Sequence, residues 1–194
     1  MTDMHLNILS KFPYLTDEKL DEILSMGEPR MLAADEIFIA EGERSTRMGF
    51  IVQGMMRNYI TNDKGDEVTV LLATEMTGIA PYKSFLLDMP ATETSAAVEQ
   101  TLLLVFDFHA FRQKALSDAI LTRVYIQMME DVLIAAIERI EDFTQRKPEE
   151  RYQRILETQP FLIDRAPLKY LASYLGITAV SLSRIRKRLS QNRN

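Results

Sequence analysis

The sequence predicts an α+β protein with three consecutive parts: an N-terminal antiparallel β jelly-roll barrel over 1–110, a long helix over 111–147 and a C-terminal helix-turn-helix unit over 148–194. Three observations lead to this prediction. Short strand-like runs separated by glycine turns fill the first part. A long apolar stripe follows and stops at Pro148. Two short segments, each with one apolar face, then flank Gly176.

The barrel is predicted from β-rich runs that begin after Met31. They are 37–39, 50–52, 68–72 and 102–106. Turn signals at 41–43, 53–54 and 62–65 separate them, each with a glycine. Many short strands closed by such turns indicate an antiparallel barrel or jelly roll. Before these runs, Thr16 is placed to cap a short helix, with Leu15 and Leu20 in contact across its first turn.

Two overlapping apolar stripes predict the long helix. The first repeats at spacings of four and three and consists of Leu121, Tyr125, Met128, Val132 and Ala135. The second consists of Met129, Val132, Ala136, Ile140 and Phe143. A helix of about 30 residues would be about 45 Å long, more than a small barrel can cover. We therefore expect one stripe to pack on the barrel and the other on a partner subunit, and we assign the first stripe to the dimer. The alternative is a helix packed entirely on its own barrel.

The C-terminal part predicts two helices joined by a tight turn. Pro167 suits the first position of a helix. One apolar stripe follows and consists of Leu168, Leu171, Ala172 and Leu175. Gly176 can end that helix in a left-handed conformation, and Thr178 can cap the next one. The inward face of the second helix consists of Leu182, Ile185 and Leu189, so we predict a recognition helix over 179–190.

The outward side of that helix carries the predicted DNA contacts. They are Thr178, Ala179, Val180, Ser181, Ser183, Arg184, Lys187 and Arg188. Arg184 is placed to reach a guanine edge, and Lys187 and Arg188 to reach phosphates. Residues 165–194 contain seven basic and no acidic side chains, although the whole chain has a net charge of −5. A basic end on an acidic body predicts a polyanion-binding surface. The alternative is a helical hairpin that only caps the core.

Composition excludes several kinds of chemistry. The chain has no cysteine and two histidines, which excludes disulfides, cysteine-bound zinc or iron–sulfur clusters and a thiol nucleophile. We predict no metal site and no cofactor; haem held by His5, His109 or a methionine is the alternative that the composition leaves open. Carboxylates such as Glu41 and Asp66 lie at turns without a catalytic partner, so we predict no enzyme activity. No run approaches the length of a membrane span, and the N-terminus lacks a signal-peptide pattern. We expect a cytoplasmic protein that contacts no membrane.

Five segments resemble the Crp/Fnr family of bacterial transcription regulators. They are FIAEGE (38–43), GFIVQGMMR (49–57), KGDE (64–67), LASYLGIT (171–178) and SLSRIRK (181–187). The resemblance implies a sensor barrel, a dimerising helix and a winged helix-turn-helix that binds a near-palindromic operator as a homodimer. It also implies RNA polymerase as a further partner. Because only five residues follow Leu189, we expect no wing strand after the recognition helix.

The chain departs from this family where its members bind cyclic nucleotides. Ile79 follows Gly78 in place of the glutamate that holds the ribose, and Thr94 stands where the phosphate-binding arginine would be. We therefore expect neither cAMP nor cGMP as effector. Lys83 is either a replacement cation or an ordinary exposed lysine. The candidate pocket for a different effector consists of Tyr82, Lys83, Ser84, Thr92, Thr94 and Ser95.

Two further expectations follow from the helix-turn-helix. Ala179 and Val180 stand where relatives with the best-known operator present Arg and Glu, so we expect a different operator, with thymine methyl contacts. The second hypothesis for function is a ligand-sensing or protein-docking module whose helix-turn-helix no longer binds DNA. The basic surface of Arg184, Lys187 and Arg188 argues against it.

Overall fold

The computed structural model describes residues 3–191. The strands are β1 (Glu28–Leu32), β2 (Ile37–Ile39), β3 (Arg47–Gln53), β4 (Met55–Thr61), β5 (Glu67–Thr74), β6 (Gly78–Ile79), β7 (Thr94–Ala97) and β8 (Thr101–Asp107). The helices are α1 (Asp3–Lys11), α2 (Asp17–Ser25), α3 (Tyr82–Leu87), α4 (Phe108–Leu116), α5 (Ala119–Gln145), α6 (Pro148–Thr158), α7 (Pro160–Arg165), α8 (Leu168–Tyr174) and α9 (Ala179–Gln191). The four predicted strand runs all lie within strands, namely β2, β3, β5 and β8.

The eight strands form two antiparallel four-stranded sheets. Their orders are β1-β8-β3-β6 and β2-β7-β4-β5. First and last strands pair, as do second and seventh, third and sixth, and fourth and fifth, which is the strand order of a jelly roll. One apolar cluster contains side chains from all eight strands, including Leu32, Ile51 and Leu103. The two sheets therefore enclose a common core, and the predicted fold class is confirmed.

The N-terminal helices pack with the first half of α5 in a second cluster. Thr16 caps α2 as predicted, since its Oγ1 accepts a hydrogen bond from the Lys19 amide at 3.2 Å. Phe12, Leu20 and Phe111 meet Leu121 and Val124 of α5 in this cluster. This packing fixes the beginning of α5 against the barrel.

The predicted long helix is divided into two at Ser117 and Asp118. Asp118 caps α5, and its Oδ1 accepts hydrogen bonds from the amides of Ile120 and Leu121 at 2.9 and 3.0 Å. α4 is consequently a separate helix, and α5 has 27 residues, or about 40 Å. Both predicted stripes begin after Asp118, so they did not locate the break, and both helices bury one face in the same cluster.

The four C-terminal helices follow Pro148, which begins α6. They share a third cluster that includes Leu162, Leu171 and Leu182, together with Met55 and Leu72 of the barrel. Pro167 occupies the N-cap position of α8 rather than its first helical position, one residue from the prediction. No strand accompanies these helices within residues 3–191, so the described part of the chain lacks the wing that the resemblance implied.

Candidate nucleic-acid interface and sensor cavity

The turn between α8 and α9 has the predicted geometry. Gly176 has φ +69°, and the amides of Gly176 and Ile177 donate to the carbonyls of Ser173 and Ala172 at 2.9 and 3.0 Å. These two bonds close a Schellman turn at the end of α8. Thr178 then caps α9, because its Oγ1 accepts from the Ser181 amide at 3.1 Å. Glycine is required here twice over, since a Cβ at 176 would also lie 2.6 Å from the Phe143 ring.

The recognition helix α9 presents its predicted outward side to solvent. Leu182 and Ile185 are buried in the third cluster, and Leu189 packs against it. Val180, Ser183, Arg184 and Lys187 lie on the opposite side and are exposed, Val180 at 61%. Thr178 and Arg188 are also exposed, and Ala179 and Ser181 are half-buried. All eight predicted side chains are therefore at least partly accessible beside or along this helix.

The four cations of α9 have different surroundings. Arg184 and Lys187 have no carboxylate partner among residues 3–191. Arg188 is paired with Glu149 of α6, with Nη2–Oε2 and Nε–Oε1 distances of 2.6 and 3.2 Å. Arg186 turns inward, and its Nη2 donates to the Ile163 carbonyl at 3.3 Å. Arg184 and Lys187 are thus the cations free to meet a nucleic acid.

Buried Arg151 joins the end of α5 to the helix-turn-helix. Its Nη1 donates to the carbonyls of Asp142 and Arg146 at 3.2 and 2.8 Å. Its Nε and Nη2 both donate to the Leu175 carbonyl, at 3.1 and 2.9 Å, in the turn before α9. The guanidinium also lies over the Phe143 ring. One side chain therefore satisfies the exposed carbonyls of two helix ends and fixes the recognition unit to α5.

A second set of contacts holds α8 and α7 against the barrel. Tyr170 Oη donates to Asp35 at 3.0 Å, and the Arg57 guanidinium stacks on the Tyr170 ring at 3.8 Å. Arg165, at the end of α7, pairs with Glu75 at 2.8 Å and also with Glu99. Burial opposes the charged form of Glu75, but hydrogen bonds from Arg165 and the Gly54 amide lower its pKa to about 2.

A cavity of about 660 Å³ lies between the barrel, the inner side of α5 and the C-terminal helices. Its volume is in the range of small-molecule sites. Tyr82 and Lys83 line it as predicted, with Met128 and Asp131 of α5 facing them. Burial raises the pKa of Tyr82 to about 12. The wall continues to Tyr174 of α8, so an occupant could touch both the barrel and the helix-turn-helix.

Four predicted pocket residues do not line this cavity. Ser84 Oγ donates to the Pro90 carbonyl at 3.1 Å, and Thr94 Oγ1 accepts from the Glu41 amide at 3.0 Å. Ser95 is fully buried and donates to Asn58 Oδ1, and Thr92 is exposed. The prediction of a pocket at these four residues is wrong because three of the hydroxyls satisfy polar groups within the barrel.

Glu93 is one of the cavity residues that the sequence did not indicate. It lines the cavity beside Asn58, whose Nδ2 donates to Glu93 Oε1 at 2.7 Å. Ser95 holds Asn58 in turn at 2.8 Å. Burial raises the pKa of Glu93, while the bond from Asn58 lowers it to a smaller extent. The alternation of Thr92, Glu93 and Thr94 before a short strand gave no sign of which side chain faces inward.

The assignment of the first α5 stripe to a dimer contact needs correction. Leu121 is fully buried within its own chain, and Tyr125 and Met128 pack against the same cluster. Val132 and Ala135 line the cavity. The outward side instead carries Ile126, Leu133, Ile137 and Ile140. Two helical stripes that overlap by one residue cannot be told apart without knowing which one the barrel covers.

Residues 3–191 contain no group of three or more histidine, aspartate or glutamate side chains arranged to hold a metal ion. Over the same described range, no helix combines the length and the apolar character that crossing a membrane requires.

The fold thus combines a jelly-roll barrel, a long helix and a helix-turn-helix, with a cavity where the three parts meet. Residues 29–118 match the family model of the cyclic nucleotide-binding domain. Among curated proteins, none matches this chain significantly.

Solved structures share the whole arrangement. FixK2 from Bradyrhizobium japonicum superposes with a TM-score of 0.73 and 18% identity, over 86% of this chain and 85% of that one. A proposed Crp/Fnr-family transcriptional regulator from Eubacterium rectale superposes with a TM-score of 0.67 and 15% identity, over 92% of this chain and 85% of that one. The c-di-GMP-responsive regulator CLP from Xanthomonas campestris superposes with a TM-score of 0.67 and 13% identity, over 91% of this chain and 93% of that one. At these identities the likeness establishes the fold.

Proposed function

We propose that the chain is a DNA-binding transcription regulator of the Crp/Fnr type, which binds a near-palindromic operator as a homodimer and responds to an effector other than cAMP. The observation that carries the proposal is the recognition helix. It is capped by Thr178, anchored by Leu182 and Ile185, and exposes Arg184 and Lys187 without carboxylate partners among residues 3–191. An exposed helix with free cations suits the major groove.

The outward side of α5 supports the homodimer. Ile126, Leu133 and Ile140 repeat every seven residues, with Met129 and Ala136 in the intermediate positions. Leu133 and Ile140 are 60% and 63% exposed. This a and d pattern is the seam of a two-stranded coiled coil. A second α5 packed here would pair two recognition helices, and DNA half-sites about 34 Å apart would match them.

The cavity supports an effector that is not a cyclic nucleotide. Four cations line it, namely Lys11, Lys83, Arg139 and Arg154. Lys11 is paired with Asp131, and Arg154 with Glu138 and Asp142. Arg139 is held between two aromatic rings, and Lys83 is exposed. A buried phosphate would therefore lack a dedicated cation and would face the Glu93 carboxylate, which disfavours it.

Selection from random duplex DNA tests this function. The unaltered chain should enrich a sequence with two half-sites about one helical turn apart. In Arg184→Ala, we expect loss of preference at one position of each half-site and about 5- to 150-fold weaker specific binding. Arg112→Ala, which removes an exposed cation of α4, is the matched control and should behave as the unaltered chain. Failure of the unaltered chain to enrich any sequence, with and without cell extract, would contradict the proposal.

A further inference from the structure

One of the outward cations of the recognition helix is already occupied. Arg188 meets Glu149 in a two-point arrangement, with Nη2–Oε2 at 2.6 Å and Nε–Oε1 at 3.2 Å. This is also the arrangement in which a guanidinium holds a phosphate. Resting on the proposed function, we propose that Glu149 is an internal substitute for a DNA phosphate: it holds Arg188 in the free protein and releases it to the DNA backbone on binding.

The position of the pair fits this exchange. By helical spacing, Arg188 lies on the same flank of α9 as Ser181, beside the outward side that carries Arg184. Ser181 and Arg188 line a shallow groove between α9 and the beginning of α6, where Glu149 lies. Arg188 is more than half exposed and Glu149 about one-third exposed, so incoming DNA can reach the pair. The exchange therefore needs only a side-chain rotation.

The neighbouring carboxylate has a different role. Glu150 accepts from the Lys147 amide at 2.6 Å and so closes the first turn of α6. Glu149 has no partner other than Arg188 among residues 3–191. It also lies in the first turn of α6, where the helix dipole favours a negative charge. Glu149 therefore keeps a favourable environment after Arg188 leaves, which lowers the free energy required for the exchange.

The energetic consequence is a limit on DNA affinity. Exposed ion pairs contribute little and are screened by salt. The Glu149 pair should therefore weaken DNA binding slightly rather than prevent it. Removing the carboxylate frees Arg188 in advance, so Glu149→Gln should bind DNA about two- to fivefold more tightly at low salt. The gain should shrink as the salt concentration rises.

A double-mutant cycle on DNA affinity distinguishes exchange from simple repulsion. The variants are Glu149→Gln, Arg188→Ala and the double variant, measured on the selected duplex and on a mixed-sequence duplex of equal length. If Arg188 is exchanged, Glu149→Gln should improve binding more in the unaltered chain than in the Arg188→Ala background, because only the former has a pair to break. Arg188→Ala alone should reduce the salt slope by about 0.9, as expected for one phosphate contact.

The control is Glu157→Gln, which makes the same charge change at an exposed position two turns along α6. It should change affinity less than Glu149→Gln. Thermal unfolding of all variants should agree closely, which separates the effect from stability. An equal or larger gain from Glu149→Gln in the Arg188→Ala background would overturn the exchange alone. No binding of the unaltered chain to either duplex would overturn the proposed function, and the exchange with it.

Discussion

The two halves of α5 have opposite environments. In the first half, Leu121 and Val124 are buried among the N-terminal helices and the barrel. In the second half, all five side chains from 133 to 137 are exposed. They include Leu133, Ile134 and Ile137. The first half is therefore part of the folded protomer, whereas the second half leaves apolar surface that folding of one chain does not cover.

The far end of α5 is held by charges and rings instead of an apolar cluster. Arg154 pairs with Glu138 and Asp142 at 2.8 and 3.0 Å. Arg139 stacks between Phe143 and Tyr174, with centroid distances of 4.3 and 4.1 Å. Such contacts fix direction and spacing with little buried apolar area. The difference indicates that the first half supplies stability, whereas the second half positions the helix-turn-helix and carries the side that we propose pairs with a second copy of the chain.

Truncating one leucine in each half should distinguish the two roles by their effect on the free energy of unfolding. Leu121→Ala should lower the free energy of unfolding by about 2–5 kcal/mol, because it leaves a cavity in a packed cluster. Leu133→Ala should lower it by less than about 0.5 kcal/mol when the protein is dilute, and by more as the concentration rises. Urea unfolding at two protein concentrations measures both. Equal losses for the two variants would contradict the comparison.

A charge in the outward seam should separate subunits without unfolding them. Leu133→Glu should halve the mass in sedimentation and weaken binding to a two-half-site duplex by about 100-fold, since the second half-site contact is lost. Ile134→Glu is the matched control, because Ile134 is exposed on the same turn but lies outside the heptad positions. A Leu133→Glu protein that remains dimeric would place the interface elsewhere.

The local structure of the helix-turn-helix was predictable because a few adjacent residues determine it. Gly176, Thr178 and the spacing of Leu182 and Ile185 fix a turn, a cap and a buried side within one short segment, and the outward residues follow from the helical period. None of these depends on distant contacts. The structure accordingly has the turn, the cap and the exposed cations at the predicted positions.

The sequence-based predictions were wrong where a distant part of the chain determines which side of an element is buried. The two α5 stripes differ only in which one α1, α2 and the barrel cover, and the first was assigned to the wrong side. Within the barrel, Ser84 and Thr94 have pocket-like chemistry but satisfy backbone groups of other loops. Glu93 was not predicted to line the cavity because its partner there, Asn58 of β4, is distant in the sequence.

The polar attachment of the C-terminal helices should respond to salt, unlike the apolar first half of α5. Arg165→Ala removes charge-assisted bonds to Glu75 and Glu99 of the barrel. We expect a loss of about 1–2 kcal/mol of unfolding free energy in dilute buffer. The difference should largely disappear in about 1 M salt, where screening is strong. A loss independent of salt would show that packing of the arginine stem, and not its charge, holds the contact.

The same contact should weaken in acid. Hydrogen bonds from Arg165 and the Gly54 amide outweigh burial and hold the pKa of Glu75 at about 2, below its ordinary value of 4.5. The contribution of Glu75 is therefore fully present above pH 4.5 and is lost as the pH falls from 4.5 towards 2. Arg165→Ala should show a smaller loss over this interval than the unaltered chain in thermal unfolding. Parallel acid profiles for the two proteins would contradict this assignment.

The smallest effect is expected from cAMP, and it tests the inner side of α5. Asp131 and Glu93 both line the cavity, and Asp131 is paired with Lys11, so an anion there would meet the unpaired Glu93 carboxylate. Millimolar cAMP should leave the melting temperature of the unaltered chain unchanged. Among the described residues, each cation of the cavity is paired with a carboxylate (Lys11, Arg154), held between two rings (Arg139) or exposed (Lys83), so none is placed to replace the water lost by the phosphate. Glu93→Gln removes one carboxylate and adds no cation, so it should also show no shift. A clear rise for the unaltered chain would refute the electrostatic argument, and a rise confined to Glu93→Gln would identify this carboxylate as the whole barrier.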